Sequence, residues 1–227
     1  SPPEYLQSDL TSLTHPLKHN HRKRGTISRI ASPSGACLSH LILIRHSATR
    51  QVPGISSHLW ELSDEGRKRC RILADHLRPY RVATIASSDE AKAISTASIL
   101  AEAIGIASQI IVEPDFRETR RETVPYYESV SDFREAIRAA MLSPNRVVFG
   151  EESFAEARAR FNTALHRLVT LHPGKTLAVV THGTVMSLVV GQASGLDAYS
   201  TWKSLEMPAY AVFTPNLDLL DLKHSVG

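Results

Sequence analysis

Two histidines stand where a chain can do phosphoryl chemistry. The first lies in Ile44-Arg45-His46-Ser47, with Thr49 two residues on, directly after the apolar run Leu41-Ile42-Leu43-Ile44. A guanidinium offers a planar pair of N–H donors that matches two phosphate oxygens. An imidazole beside it can attack phosphorus in line. The second lies in Val179-Val180-Thr181-His182-Gly183. There a glycine lets the backbone come close to a ligand, and a helix start just beyond favours an anion. Spacing alone leaves a plain alternative, because the chain holds 11 histidines and any two of them need not meet.

Two histidines that end buried strands of one sheet can face one ligand. The pattern supports this. From Leu41 onward short apolar runs alternate with amphipathic stretches. Ser63-Asp64-Glu65-Gly66 has the polar cap and acids of a helix start, and Cys70, Leu73, Ala74 and Leu77 share one face before Pro79. A second strand is expected over 82–86. Ser87-Ser88-Asp89-Glu90 then opens a helix carrying Ile94, Ala97, Ile99, Leu100 and Ala103, closed by Gly105. A short strand fits 109–112, a charged loop runs from Pro114 to Pro125, and helices are predicted over 130–142 and 153–171. Pro173-Gly174 turns into a strand over 176–180, a helix follows Gly183, and 210–214 with 217–222 read as a hairpin turned at Pro215-Asn216. Strands alternating with helices imply an α/β fold of three layers, a mostly parallel central sheet flanked by helices, whose ligands bind beyond the carboxyl ends of the strands.

The 227 residues suffice for one large domain, expected over 38–227, and no apolar run approaches the roughly 20 residues of a membrane span. Net charge is only +3 but uneven: no acid occurs between Asp9 and Glu61, while Lys18, Arg22, Lys23, Arg24, Arg29, Arg45 and Arg50 do. Residues 1–37, rich in Ser, Pro, His and basic residues, read as a basic disordered tail. The same acid-poor composition is also that of an organellar transit peptide, and a cytoplasmic location is the default. The two cysteines, Cys37 and Cys70, make neither a disulfide scaffold nor a metal site. No metal or cofactor is expected, nor a membrane partner. Nucleic acid is disfavoured because the domain lacks interleaved aromatic residues on which bases could stack.

In this setting the motifs resemble those of the histidine phosphatase (phosphoglycerate mutase-like) superfamily. Arg45-His46-Ser47-Ala48-Thr49 is similar to its Arg-His-Gly-x-Thr, and Leu62-Ser63-Asp64-Glu65-Gly66 to its Leu-Thr-x-x-Gly. Ser87 to Ala97 resembles Ser-Ser-Pro-x-x-Arg-Ala-x-Gln-Thr-Ala, Phe116-Arg117-Glu118 resembles Leu-x-Glu, and Val180-Thr181-His182-Gly183 matches the second histidine motif. Gly150-Glu151-Glu152-Ser153 with Arg160 is similar to a Gly-Glu-Ser element, with one residue inserted. The likeness runs in the family's order over about residues 41–215.

The resemblance implies a phosphoglycerate mutase-like fold and a role for each residue. His46 would be the nucleophile, Arg45 a phosphate clamp, and His182 a ligand of the phosphoryl oxygens in the transition state. Glu118 would be the general acid, with Glu122 and then Asp115 as alternatives in the same loop. Lys92 stands where the family usually has a second phosphate-binding arginine, so it keeps the charge but loses the bidentate fork. Ala48 and Val52 replace polar residues common in the family, which implies a more apolar pocket.

Arg117, Arg120 and Arg121 read most simply as solvated loop arginines, with recognition of an acidic substrate as the alternative. Trp60, Glu61, Tyr126, Tyr127 and Trp202 are candidates for the pocket rim. The expected activity is a phosphatase acting on a small phosphorylated substrate through a phosphohistidine. A mutase is the first alternative, disfavoured because Thr119-Arg120-Arg121-Glu122 follows Glu118 where that branch usually has Glu-Arg-x-Tyr-Gly. A phospho-ligand binding module with little turnover is the second. Substrate identity and oligomeric state are not legible.

Overall fold

A computed structural model describes residues 39–106 and 109–226. The basic segment over 1–37 and Cys37 therefore lie outside the described residues. In chain order the main elements are β1 (Leu41–Arg45), α1 (Asp64–Leu77), β2 (Thr84–Ser87), α2 (Ala91–Ile104), β3 (Ile111–Val112), α3 (Val130–Leu142), α4 (Phe154–Leu171), β4 (Leu177–Thr181), α5 (Gly183–Ser194), α6 (Ala198–Ser204), β5 (Ala209–Phe213) and β6 (Leu219–Lys223).

Among the described residues six strands form one sheet, ordered β3-β2-β4-β1-β5-β6. The pairs β3–β2, β2–β4 and β4–β1 are parallel, while β5 and β6 add an antiparallel edge. Because successive side chains of a strand point to opposite faces, alternate residues feed two cores. Leu41, Leu43, Leu177 and Val179 pack against α4 and α5 on one face. Ile42, Ile44, Ala178 and Val180 pack against α1 and α2 on the other. This is why those strands read as continuous apolar runs rather than as alternation, and it makes the fold the three-layer α/β arrangement expected.

The helix boundaries follow local chemistry. The Ser63 hydroxyl accepts from Gly66 N–H at 3.0 Å and so caps α1, an interaction of about 1 kcal/mol. Ser153 and Glu156 form a reciprocal capping box at the start of α4. In α2 the buried stripe differs from expectation. Ile94 and Ile99 are only half-buried, whereas Lys92 and Thr96 are buried with Ala93, Ala97 and Leu100. The reason is that the first turns of α2 face polar groups at the sheet's carboxyl edge rather than a dry core. The short α6, which carries no strong apolar period, was not foreseen. It is capped by Asp197 and packs Tyr199 and Trp202 near Phe133 and Leu188.

A candidate phosphoryl-transfer site at the sheet edge

β1 and β4 are neighbours in register, Arg45 opposite Thr181, so the residues that follow them emerge side by side. The His46 N–H donates to the Thr181 carbonyl at 2.9 Å, and the two imidazole rings lie 5.2 Å apart, edge to face. The loop after β1 is tied down by Ser47. Its N–H donates to Thr96 Oγ1 at 3.1 Å and its hydroxyl to the Gly66 carbonyl at 2.8 Å, which joins the loop to α2 and α1. Ser47 thus holds the chain rather than facing a ligand.

The tautomer of His46 follows from its surroundings. Nδ1 lies 2.8 Å from the Ser47 carbonyl, which can only accept, so Nδ1 carries the hydrogen and Nε2 keeps its lone pair. Burial holds the His46 pKa well below its ordinary 6.5, aided by the neighbouring His182, Lys92 and Arg45 and opposed by the Ser47 carbonyl. The ring is therefore neutral and nucleophilic at physiological pH.

His182 is buried with Nε2 2.8 Å from Ser88 Oγ and 3.2 Å from Glu90 Oε1, while Nδ1 has no partner among the described residues. Burial and then the Lys92 charge push its pKa well down, against the pull of Glu118. Arg45 donates through Nη1 to the Leu205 carbonyl and leaves Nε without a partner. Burial lowers its pKa to about 10, so it stays a cation. A Cβ added at Gly183 would lie 3.1 Å from Arg45 Cζ and Nε. The space this glycine frees is thus filled by the Arg45 guanidinium.

The three candidate acids separate cleanly. Asp115 lies 3.6 Å from the outer Arg167 and lines neither the cavity described below nor the recess beside it that Glu118 reaches. Glu122 is exposed at the cavity rim. Glu118 is buried at the start of α5, where its carboxylate accepts from Thr184 N–H at 3.0 Å, Val185 N–H at 3.2 Å and Thr119 N–H at 3.0 Å. Burial pushes its pKa up, but the Arg121 charge, the neighbouring His182 and these backbone donors outweigh it, and the net shift is downward. In the resting protein Glu118 is an ionised carboxylate on a helix N-terminus.

The loop that carries Glu118 is held from behind by the Gly-Glu-Ser-like element. Arg160 pairs with Glu152 at 2.6 Å and donates to the carbonyls of Asp115, Arg117 and Glu118. Glu152 also accepts from Arg120 N–H at 2.9 Å. Gly150, at φ +89°, leaves room for Arg120: a Cβ there would sit 2.0 Å from the Arg120 carbonyl oxygen.

Lys92 lines the cavity, but Nζ is already engaged, with Glu90 Oε2 at 2.5 Å and the Ser57 carbonyl at 2.7 Å. Glu90 is a site residue that the sequence reading missed. It occupies the N-cap of α2 without making a cap bond, because its side chain turns inward to Lys92, His182 and Glu118 N–H. The available signal was an acid two positions before the cationic one. Arg121 was also misjudged. It is half-buried and lines the cavity, while Arg117 pairs with Asp89 and Arg120 is exposed.

The cavity measures about 490 Å³ and is lined by Arg45, His46, Lys92 and Arg121 together with Ile55, Trp60, Val124, Tyr126, Tyr127 and Phe133. Its apolar lining comes from these residues and not from Ala48 or Val52. Glu61 and Trp202 do not line it. A recess of about 20 Å³ shares Ser56, Ser57, Arg121 and Glu122 with it and reaches Glu90 and Glu118. Among the described residues no cluster of three or more His, Cys, Asp or Glu is arranged to hold a metal ion.

This geometry agrees with the sequence profile of the histidine phosphatase superfamily, branch 1, which matches residues 41–214. The chain belongs to that superfamily. It is 32% identical over 162 residues to phosphoglycerate mutase-like protein 4 of Arabidopsis thaliana, covering 65% of this chain and 68% of the relative. The fold superposes on a mycobacterial glucosyl-3-phosphoglycerate phosphatase bound to VO3, with a TM-score of 0.66 and 20% identity, covering 82% and 99% of the two chains. It also superposes on an Entamoeba histolytica phosphoserine phosphatase in complex with 3-phosphoglyceric acid, with a TM-score of 0.65 and 17% identity, covering 83% and 98%. The superfamily assignment makes this chain one of a group of phosphatases and mutases, and no helix among its described residues is long and apolar enough to cross a membrane.

Proposed function

We propose that the protein is a phosphomonoester hydrolase that works through a phosphohistidine on His46. The observation that carries this is the Nδ1–H bond to the Ser47 carbonyl, which leaves Nε2 free in a cavity shared with Arg45 and Lys92. In the first step Nε2 attacks phosphorus, the ester P–O bond breaks, and the leaving oxygen takes a proton from Glu118. In the second, water attacks phosphorus, its proton passes to Glu118, and the P–N bond breaks to release phosphate and neutral His46. Phosphoryl transfer is mostly positioning and charge stabilisation. Arg45 and a His182 protonated beside the phosphate are the groups suited to bind its oxygens.

Glu118 needs a proton that it lacks at rest. A phosphomonoester brings negative charge to the carboxylate, which raises its pKa and lets it load that proton. The solved neighbours include a glucosyl-3-phosphoglycerate phosphatase and a phosphoserine phosphatase in complex with 3-phosphoglyceric acid, which supports a small phosphomonoester as substrate.

A mutase is the second reading, favoured by the name of the Arabidopsis relative. The residues after Glu118 do not follow the mutase pattern, and transfer back to the substrate needs a site that keeps water out during the intermediate.

The test is a rapid quench of wild type and His46→Ala with para-nitrophenyl phosphate, together with 3-phosphoglycerate scored for both phosphate release and isomer formation. Turnover and an acid-labile phosphoprotein in wild type are expected, with a loss of about 10⁴-fold or more in His46→Ala. Isomer without phosphate selects the mutase. No adduct and no product from wild type rejects both readings in favour of a binding module.

A further inference from the structure

The cation that the family places at position 92 is largely spent in this chain. Lys92 is paired with Glu90 and bonded to the Ser57 carbonyl, so little of its charge is available to a second anion. In the buried part of the site Arg45, Lys92 and Arg121 oppose Glu90 and Glu118, and both imidazoles are neutral. Glu122 lies further out in solvent. At rest, and without Arg121, this set has no excess positive charge with which to attract a phosphate dianion.

Arg121 is also the guanidinium held ready. It lines both the large cavity and the recess that reaches Glu118. Its Cζ lies 5.4 Å from the Phe133 ring centroid and 5.9 Å from that of Phe149, which fixes the group through ring faces without consuming its N–H donors. Nη1 is buried with no hydrogen-bond partner among the described residues. A buried, unpaired guanidinium donor is costly unless something fills its place. An oxyanion in the cavity would do so, and the fork geometry suits a phosphoryl group better than a single ammonium.

We propose that Arg121, carried by the loop after Glu118, supplies the second guanidinium that grips the transferred phosphoryl group, a part the family otherwise takes from position 92. This rests on the reading of the site as a phosphoryl-transfer centre. It assigns the phosphate, not the leaving alcohol, as the ligand of Arg121.

The test is titration of the full chain with orthovanadate and with inorganic phosphate, neither of which has a leaving group. Wild type, Arg121→Met and Arg121→Lys are compared, with the melting temperature of each. Arg121→Met keeps the apolar stem and is expected to weaken both anions roughly 10- to 100-fold, with Arg121→Lys in between. Where Arg121→Met lowers the melting temperature, Arg121→Lys decides, since it keeps stem and charge and removes only the fork. Unchanged anion affinity in the folded variants, with kcat/KM for an ester still reduced, overturns the proposal and makes Arg121 a reader of the leaving group. Wild type that binds neither anion removes the phosphoryl-transfer reading itself, and this inference with it.

Discussion

The two strand ends that deliver His46 and His182 are built differently from the loop that delivers Glu118 and Arg121. The strand ends are extensions of the most buried part of the sheet, fixed by ladder hydrogen bonds and by the dry cores on both faces. The loop has no ladder. Its position depends on side chains that reach it from elsewhere: Glu151 to the N–H groups of Glu122 and Thr123, Glu152 to Arg120 N–H, and Arg160 to three carbonyls. The proposed nucleophile and phosphate ligand thus sit on rigid scaffold, while the proposed acid and second cation sit on a segment held by a few polar contacts. Specificity can change in such a loop without disturbing the sheet.

The largest effect on this contrast is expected from Arg160→Met. It leaves the buried Glu152 carboxylate without its partner, an arrangement that costs about 3–5 kcal/mol when one member is removed. Chemical denaturation should show that loss. Hydrogen exchange should show amides of 118–123 opening while those of β1 and β4 stay protected. Equal loss of protection in both regions would mean that the loop and sheet unfold as one unit and that the contrast is false.

A smaller, local version is Gly150→Ala. The new Cβ meets the Arg120 carbonyl and the backbone keeps a positive φ, at a cost of order 1–3 kcal/mol. The expected outcome is a reduced kcat with little change in formation of a phosphate complex by Arg45. An unaltered kcat in a folded variant would show that the loop tolerates displacement.

The mildest probe is pH. Imidazole ¹⁵N shifts of His46 and His182 should remain those of neutral rings at pH 6, with His46 protonated on Nδ1, because burial holds both pKa values well below 6.5. The unfolded chain binds protons in that range and the folded one does not. Stability therefore falls as pH drops from about 6.5 toward the folded values. Glu118 acts in the same sense lower down, since its depressed pKa contributes stability above about 4.5 that is lost on further acidification. A charged His46 at pH 6 would contradict the neutral nucleophile.

Much of this architecture was legible because it depends on short-range patterns. The apolar runs at Leu41–Ile44 and Thr176–Val180, the polar caps at Ser63 and Ser153 and the turn at Pro215-Asn216 each act within a few residues. The strand over 82–86 begins only at Thr84, and α6 went unseen because a seven-residue helix with a weak period is stabilised by its neighbours rather than by its own sequence. Among site residues, Arg45, His46 and His182 announce themselves by following buried strands. Glu90 looked like a helix cap, and Arg121 looked like a solvated loop arginine.

By itself, then, the sequence determined the layer architecture, the family and the two histidines, because strand and helix periods and ordered motifs are written along the chain. Only the tertiary structure decided that Lys92 is occupied by Glu90, that Glu118 caps α5, and that Arg121 turns in rather than out. Those outcomes depend on electrostatic and hydrogen-bond partners that lie up to 67 residues away, as Glu118 and Val185 do. No local pattern records which charges a fold will bring together or leave unpaired.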